Sequence, residues 1–276
     1  FIKKLKIPVV SVESITDYPS ILGGRVKTLH PKIFGGILNR SDNKTDAEEI
    51  SKFKIPSIDL VVVDLYPFEE AVATGKSENE VIELIDIGGV SLIRAAAKNF
   101  SDVLVIPSMN QYGFLQKVLQ RDGASTLEER KLMSAHAFNI TSNYDTAIFR
   151  YFNSDARISS FKQSIPEGRQ LRYGENPHQQ GIFFGNLDEM FGQLNGKEIS
   201  YNNLLDIDSA VQLIAEFNEP TVAILKHNNA CGLASRSNLS DAWNAALAAD
   251  PLSAFGGVIS SNSQITMSAA EEMNKL

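Results

Sequence analysis

Ile58-Asp59-Leu60-Val61-Val62-Val63-Asp64-Leu65 is an almost unbroken apolar run that ends at Tyr66-Pro67. A strand with one wet face alternates apolar and polar residues. A strand covered on both faces of a parallel sheet reads instead as a continuous apolar stretch. The run therefore predicts a buried parallel strand, with Asp64 and Tyr66 at its carboxyl edge, where open α/β sheets bind ligands. Residues 103–106 predict a second such strand, and Ile7-Pro8-Val9-Val10 a short one ahead of both. Helices are expected between them. Thr45-x-x-Glu48, Ser77-x-x-Glu80 and Thr126-x-x-Glu129 are capping boxes, in which side chain and backbone satisfy each other's free groups at a helix start. They predict helices reaching about residue 53, running over 81–85, and extending through 151; a further amphipathic helix is expected over 110–119. This alternation argues a doubly wound α/β arrangement around a parallel sheet.

Residues 154–169 carry few large apolar groups, and an interdomain linker is placed there. Beyond it, Leu171-Arg172-Tyr173-Gly174-Glu175-Asn176-Pro177-His178-Gln179 is too polar for a core strand. A helix is expected over 204–217, a buried strand over 221–225 that runs straight into Lys226-His227-Asn228-Asn229-Ala230-Cys231-Gly232, a helix over 241–249 and a strand over 257–260. The chain starts with Phe1, in what reads as the last turns of a helix, and a helical pattern from Met267 stops at Leu276. Both ends suggest a partial chain.

Composition narrows the function. At 276 residues two domains are expected, and 43% hydrophobic with 21% charged residues is ordinary for a soluble globular protein. A net charge of −7 argues against general nucleic-acid binding, which needs a basic stripe. The single Cys231 excludes an internal disulfide framework and fits a reducing cytosol. No apolar run approaches the ~20 residues that span a bilayer, so a cytoplasmic protein without membrane attachment is expected.

Candidate chemistry lies first in Gly23-Gly24-Arg25-Val26-Lys27-Thr28-Leu29-His30-Pro31, closed by Gly35-Gly36. The paired glycines permit a tight turn. Arg25 offers a planar fork of donors and Lys27 a mobile charge, which together suit an anion. Thr28 adds a hydroxyl and His30 a titratable ring, while Val26 and Leu29 would anchor the loop. It is not a Walker A loop, because Val26 stands where a glycine is required, and alone it could equally be a solvated turn. A second glycine-led element, Asp86-Ile87-Gly88-Gly89, opens a helix whose free N–H groups would face an anion. Lys98, after Ala95-Ala96-Ala97, is expected to be closely packed, with Asp86 and Tyr66 as neighbours for proton traffic. Lys226-His227, directly after a strand, pairs a group that can take a proton with one that can stabilise negative charge; exposed turn residues are the plain alternative. His227 and Cys231 do not make a zinc site without further ligands.

Six stretches, 22–31, 64–68, 85–99, 171–179, 226–232 and 253–257, together resemble the bifunctional AICAR formyltransferase/IMP cyclohydrolase family of purine biosynthesis. The resemblance covers essentially the entire chain, in order. It implies a cyclohydrolase domain over residues 1–160, a methylglyoxal-synthase-like three-layer sandwich with a parallel sheet. It further implies that residues 170–276 begin a cytidine-deaminase-like α/β formyltransferase domain without zinc, and that the chain is partial at both ends.

By the same resemblance Arg25, Val26, Lys27, Thr28, Val63, Asp64, Asp86, Ile87, Gly88 and Gly89 meet the nucleotide; the implied catalytic residues of ring closure are Lys98, as proton donor and acceptor with Tyr66 beside it, together with Lys27 and Asp86. His227 is implied as the general base of formyl transfer and Lys226 as the oxyanion stabiliser, with Arg172, Tyr173, His178 and Gly256 near AICAR. The implied cosubstrate is 10-formyltetrahydrofolate, with no metal in the chemistry. The implied small molecules are AICAR, formyl-AICAR and IMP, and the implied assembly is a homodimer. Competing readings are a non-catalytic phosphometabolite-binding module of methylglyoxal-synthase-like fold, and methylglyoxal synthesis itself.

Overall fold

The computed structural model describes residues 2–276; Phe1, with which the expected helix end begins, lies outside them. The chain divides into two compact units, residues 1–166 and residues 167–276.

The first unit is built on a parallel pair, β1 (Leu60–Val62) and β2 (Leu104–Ile106), in the register Leu60↔Leu104, Val61↔Val105, Val62↔Ile106. Backbone bonds from Leu104 N to Asp59 O and from Val63 N to Ile106 O extend the ladder at each end. β2 is buried throughout, but on β1 only Val61 is, and Leu60 and Val62 are 36% and 42% exposed. The expected double-sided cover is thus met by β2 and not by β1. Residues 7–10 form no strand: they carry no regular secondary structure and are exposed, with no sheet partner among the described residues. An extended segment becomes a strand only where a neighbour takes its backbone groups, and Pro8 has no N–H to offer.

Among the described residues eight α-helices accompany this pair: α1 (Val12–Thr16), α2 (Pro31–Leu38), α3 (Lys44–Phe53), α4 (Phe68–Ala73), α5 (Glu78–Glu83), α6 (Gly88–Lys98), α7 (Tyr112–Leu119) and α8 (Leu127–Phe152). The boxes at Ser77 and Thr126 form as expected, but α3 is capped by Asn43, which accepts from Asp46 N, and not by Thr45. Gly35-Gly36, expected to close a loop, lies inside α2. A Cβ on Gly36 would stand 2.2 Å from the carbonyl oxygen of Pro56, so the missing side chain there permits helix-to-chain packing and not ligand approach. The main core joins Ile33, Ile37, Val61, Ile93, Ala96, Val105, Ile106 and Met133. Buried Asn99 ties the end of α6 to α2, its amide donating to Ile37 O and Asn39 O at 2.9 and 2.8 Å.

The second unit holds an antiparallel hairpin, β3 (Gly168–Gln170) with β4 (Ile182–Phe184), and a three-stranded antiparallel sheet in the order β6-β5-β7. β3 thus begins inside the expected linker. The sheet strands are β5 (Thr221–Lys226), β6 (Asn229–Ser235) and β7 (Val258–Ser261), with α9 (Leu187–Met190), α10 (Tyr201–Ile214), α11 (Leu239–Ala249), α12 (Pro251–Ala254) and α13 (Met267–Met273) around them. β5 is buried on both faces: Val222 and Ile224 pack with Leu239, Ala242 and Trp243, while Ala223 and Leu225 pack with Ala210 and Ile214. That alternation is the period-two side-chain rule of a strand between two helix layers. α10 starts earlier than expected because Ser200 and Asn203 form a capping box. Residues 229–232, expected as loop, are the first half of β6.

Candidate functional site

In the first unit the two glycine-led elements meet. Gly23 and Gly24 take φ of 67° and 96° and turn the chain so that Val26 bridges back to Ile21. The loop then delivers Thr28 to the start of α6: its hydroxyl oxygen lies 3.1 Å from where a Cβ on Gly88 would stand. Leu29 does not anchor the loop, being 42% exposed. His30 caps α2 instead, its Nδ1 accepting from Lys32 N at 3.1 Å.

The N–H groups of α6 are not all free for a ligand. The carboxylate of Asp86 accepts from Gly89 N at 2.6 Å, placing a negative charge at the positive end of the helix dipole. Asp86 is itself held by α8, because its N–H donates to the Tyr144 hydroxyl at 2.8 Å and that hydroxyl donates to Leu84 O at 2.6 Å. Burial, first of all, pushes the Tyr144 phenol above its ordinary pKa. Arg25 is engaged by Glu83, its Nε donating at 3.3 Å to one carboxylate oxygen and its Nη2 to the other. Lys27 is exposed and has no ion-pair partner among the described residues.

Asp64 and Tyr66 are exposed beyond the carboxyl end of β1, and Val63 is half-buried there. Asp64 accepts from the Tyr112 hydroxyl at the start of α7, and this bond raises the phenol pKa. Ile87 is exposed ahead of Gly88. Lys98 is not brought to this cluster. It is exposed at the opposite end of α6 from Gly88, roughly 15 Å away at 1.5 Å of rise per residue. The alanines before it are buried, so the close packing expected of Lys98 stops one residue short.

In the second unit β5 and β6 are joined by His227 and Asn228 alone. Both have positive φ, 52° and 62°, the backbone of a type I′ hairpin turn. The Asn228 N–H donates to the carboxylate of Asp206 on α10 at 2.7 Å. Lys226 Nζ donates to Phe255 O at 3.0 Å, next to Gly256 at φ 74°, so Lys226, His227 and Gly256 gather at one end of the sheet. The Arg172 guanidinium sits 4.7 Å from the Tyr173 ring centroid and donates to its hydroxyl at 2.9 Å. Ser200 first, and then Arg172, lower the Tyr173 pKa. His178 is exposed in the turn that follows.

Sequence reading did not single out Glu83, Tyr112 or Asp206. Each acts on a residue distant in the chain, and only the carboxyl-edge position of Asp64 could have directed attention to a partner such as Tyr112.

Comparison with known proteins then bears on both units. A family model described as "AICARFT/IMPCHase bienzyme" matches residues 96–276, and one described as "MGS-like domain" matches residues 1–91. The join between those models falls within α6 and not at the division between the compact units. The bifunctional purine biosynthesis protein PurH of Bacteroides thetaiotaomicron is 60% identical over 277 residues, covering 100% of this chain and 54% of that protein. PurH of Rippkaea orientalis is 45% identical over 284 residues, covering 98% of this chain and 55% of that protein. The crystal structure of ForH matches at 32% identity with a TM-score of 0.44, covering 54% of this chain and 78% of that one. The chain thus spans about half the length of the curated relatives it matches. With the family model matched along most of its length, the chain belongs to the AICARFT/IMPCHase bienzyme family.

Proposed function

We propose that this chain supplies the IMP cyclohydrolase domain, residues 1–160, and the first part of the AICAR formyltransferase domain, residues 170–276, of a bifunctional purine-biosynthesis enzyme. The observation that carries the reading is the meeting of Thr28 with Gly88, which sets the Arg25–Thr28 loop against a helix start already organised by Asp86. A nucleotide there would meet the Arg25 guanidinium, the Lys27 ammonium, the Thr28 hydroxyl and the backbone of 87–89, with Val63, Asp64 and Tyr66 at the neighbouring strand end.

In ring closure, the carboxamide nitrogen of formyl-AICAR attacks the formyl carbon and water leaves, giving IMP. Proton transfer is assigned to Lys98 on family resemblance. Lys27, next to Thr28 in the chain and in the same implied catalytic set, is the second candidate for that role. In formyl transfer, the 5-amino group of AICAR attacks the formyl carbon of 10-formyltetrahydrofolate. His227 accepts the amine proton and Lys226 stabilises the oxyanion; the bond from the formyl carbon to N10 then breaks and tetrahydrofolate leaves with that proton on N10, while Arg172, Tyr173, His178 and Gly256 hold AICAR. The net charge of −7 suits small anions met at focused basic sites better than nucleic acid. The proposal includes a cytoplasmic homodimer without membrane attachment; no helix of the described residues is long and apolar enough to cross a membrane.

The test uses protein of the relatives' full length. Lys98→Ala should slow ring closure and leave formyl transfer intact, and equal loss of both would overturn the domain assignment. If Lys27→Ala alone abolishes ring closure, the proton transfer belongs to Lys27. The 276-residue chain by itself should show little formyl transfer.

A further inference from the structure

The hairpin that carries His227 is held from outside the hairpin. Two consecutive non-glycine residues in the left-handed region are costly, because Cβ crowds the following carbonyl, and such strain persists only where the surroundings over-determine it. The surroundings here include α10. Its sheet-facing stripe is Asp206, Ala210 and Ile214 at a spacing of one helical turn; Ala210 and Ile214 are buried against β5, and the carboxylate of Asp206 accepts from Asn228 N at 2.7 Å. A backbone N–H bonded to an ionised acceptor is among the stronger hydrogen bonds available.

The same helix fixes the other candidate segment. Tyr201 N donates to Tyr173 O at 3.2 Å, Asn202 Nδ2 donates to Glu175 O at 2.9 Å, and Arg172 N donates to Ile199 O just ahead of the helix at 3.1 Å. The first half of α10 therefore frames both the Arg172–Glu175 segment and the His227–Asn228 turn.

From this juxtaposition we infer that Asp206 is a positioning residue for His227, acting through the Asn228 N–H to fix the turn that carries the imidazole on the same helix that holds the Arg172–Glu175 segment; the inference rests on the formyl-transfer reading of His227. Asp206 does not touch the reacting atoms. Its contribution is orientation, which small displacements at a reacting group erode steeply.

The experiment measures both reactions in protein of the relatives' full length. Asp206→Ala should lower kcat for formyl transfer by about tenfold, with KM for AICAR within about twofold and ring closure unchanged. Asp206→Asn keeps a carbonyl acceptor for the Asn228 N–H and should restore most of the rate. A merely structural loss in the second unit would instead raise KM for AICAR together with the fall in kcat, and would not be rescued by the amide. Formyl transfer by Asp206→Ala at the unaltered rate, or ring closure falling in step with it, overturns the inference. An unaltered protein that transfers no formyl group removes the His227 reading beneath it, a failure visible before any substitution is made.

Discussion

The Thr28 hydroxyl oxygen lies 3.1 Å from the point that a Cβ on Gly88 would occupy. Gly88→Ala therefore sets two effects against each other. Alanine is the better helix former by about 0.8–1 kcal/mol in a helix interior and by less at the first turn, while the new methyl presses on the loop that carries Arg25 and Lys27. The expected outcome is a melting temperature unchanged or slightly raised, with IMP affinity weakened about tenfold by the displaced loop, an energy of ~1.4 kcal/mol. Calorimetric titration of IMP into both forms checks this. Unaltered affinity would separate the Thr28 contact from ligand binding.

Tyr144→Phe should destabilise the first unit without altering its apolar packing. The hydroxyl both accepts from Asp86 N and donates to Leu84 O in a buried setting. Its removal leaves two backbone groups unpaired, at about 1–3 kcal/mol for a buried unsatisfied group. Circular dichroism melting should report the loss, since the 26-residue α8 that carries Tyr144 lies in this unit. Hydrogen exchange at the Asp86 amide should quicken as well. A variant melting with the unaltered chain would mean that water replaces both bonds.

Asp46 gives the first unit a defined acid limit. The Arg40 guanidinium and backbone N–H hold its carboxyl at about 2, against an ordinary 3.8. A folded pKa depressed in this way stabilises the fold at every pH above the ordinary value, and that contribution is lost as pH falls from there through the folded pKa. Asp46→Asn should therefore melt below the unaltered chain near neutrality, with the gap closing between about pH 4 and pH 2. A gap constant down to the lower pH would assign the effect to the amide's changed hydrogen bonding and not to charge.

The features legible in the sequence are those settled within a few residues. The Ser77 and Thr126 caps needed only their own next turn, and the apolar run around Val61 did announce a parallel strand. How many neighbours that strand has is a property of distant chain, so the exposure of Leu60 and Val62 was hidden in the same apolar letters. β6 was obscured because its turn uses His227-Asn228 in place of the Asn-Gly or Asp-Gly that advertises a type I′ hairpin. The convergence of Thr28 on Gly88 could be suspected from two glycine-led starts. The Arg25–Glu83, Asp64–Tyr112 and Asp206–Asn228 pairings could not, because no local pattern encodes which carboxylate a folded loop will find.

That unadvertised turn gives a prediction of its own. Asn228 has φ 62°, a conformation that asparagine tolerates, glycine favours, and β-branched residues resist by roughly 1–2 kcal/mol. Asn228→Gly keeps the backbone N–H that reaches Asp206 but loses the side-chain amide that donates to Leu205 O and Asp206, and should cost about 0.5–1 kcal/mol. Asn228→Val should cost about 1–2 kcal/mol beyond that. The chain has one tryptophan, Trp243, buried in the second unit between α11 and the sheet. Its fluorescence therefore follows unfolding of this unit without a signal from the other. Urea midpoints should rank asparagine highest, glycine a little below, and valine, which loses the amide bonds and resists the left-handed backbone as well, lowest. Equal midpoints for glycine and valine would mean that the turn relaxes out of the left-handed region, and that the Asp206 bond does not hold it there.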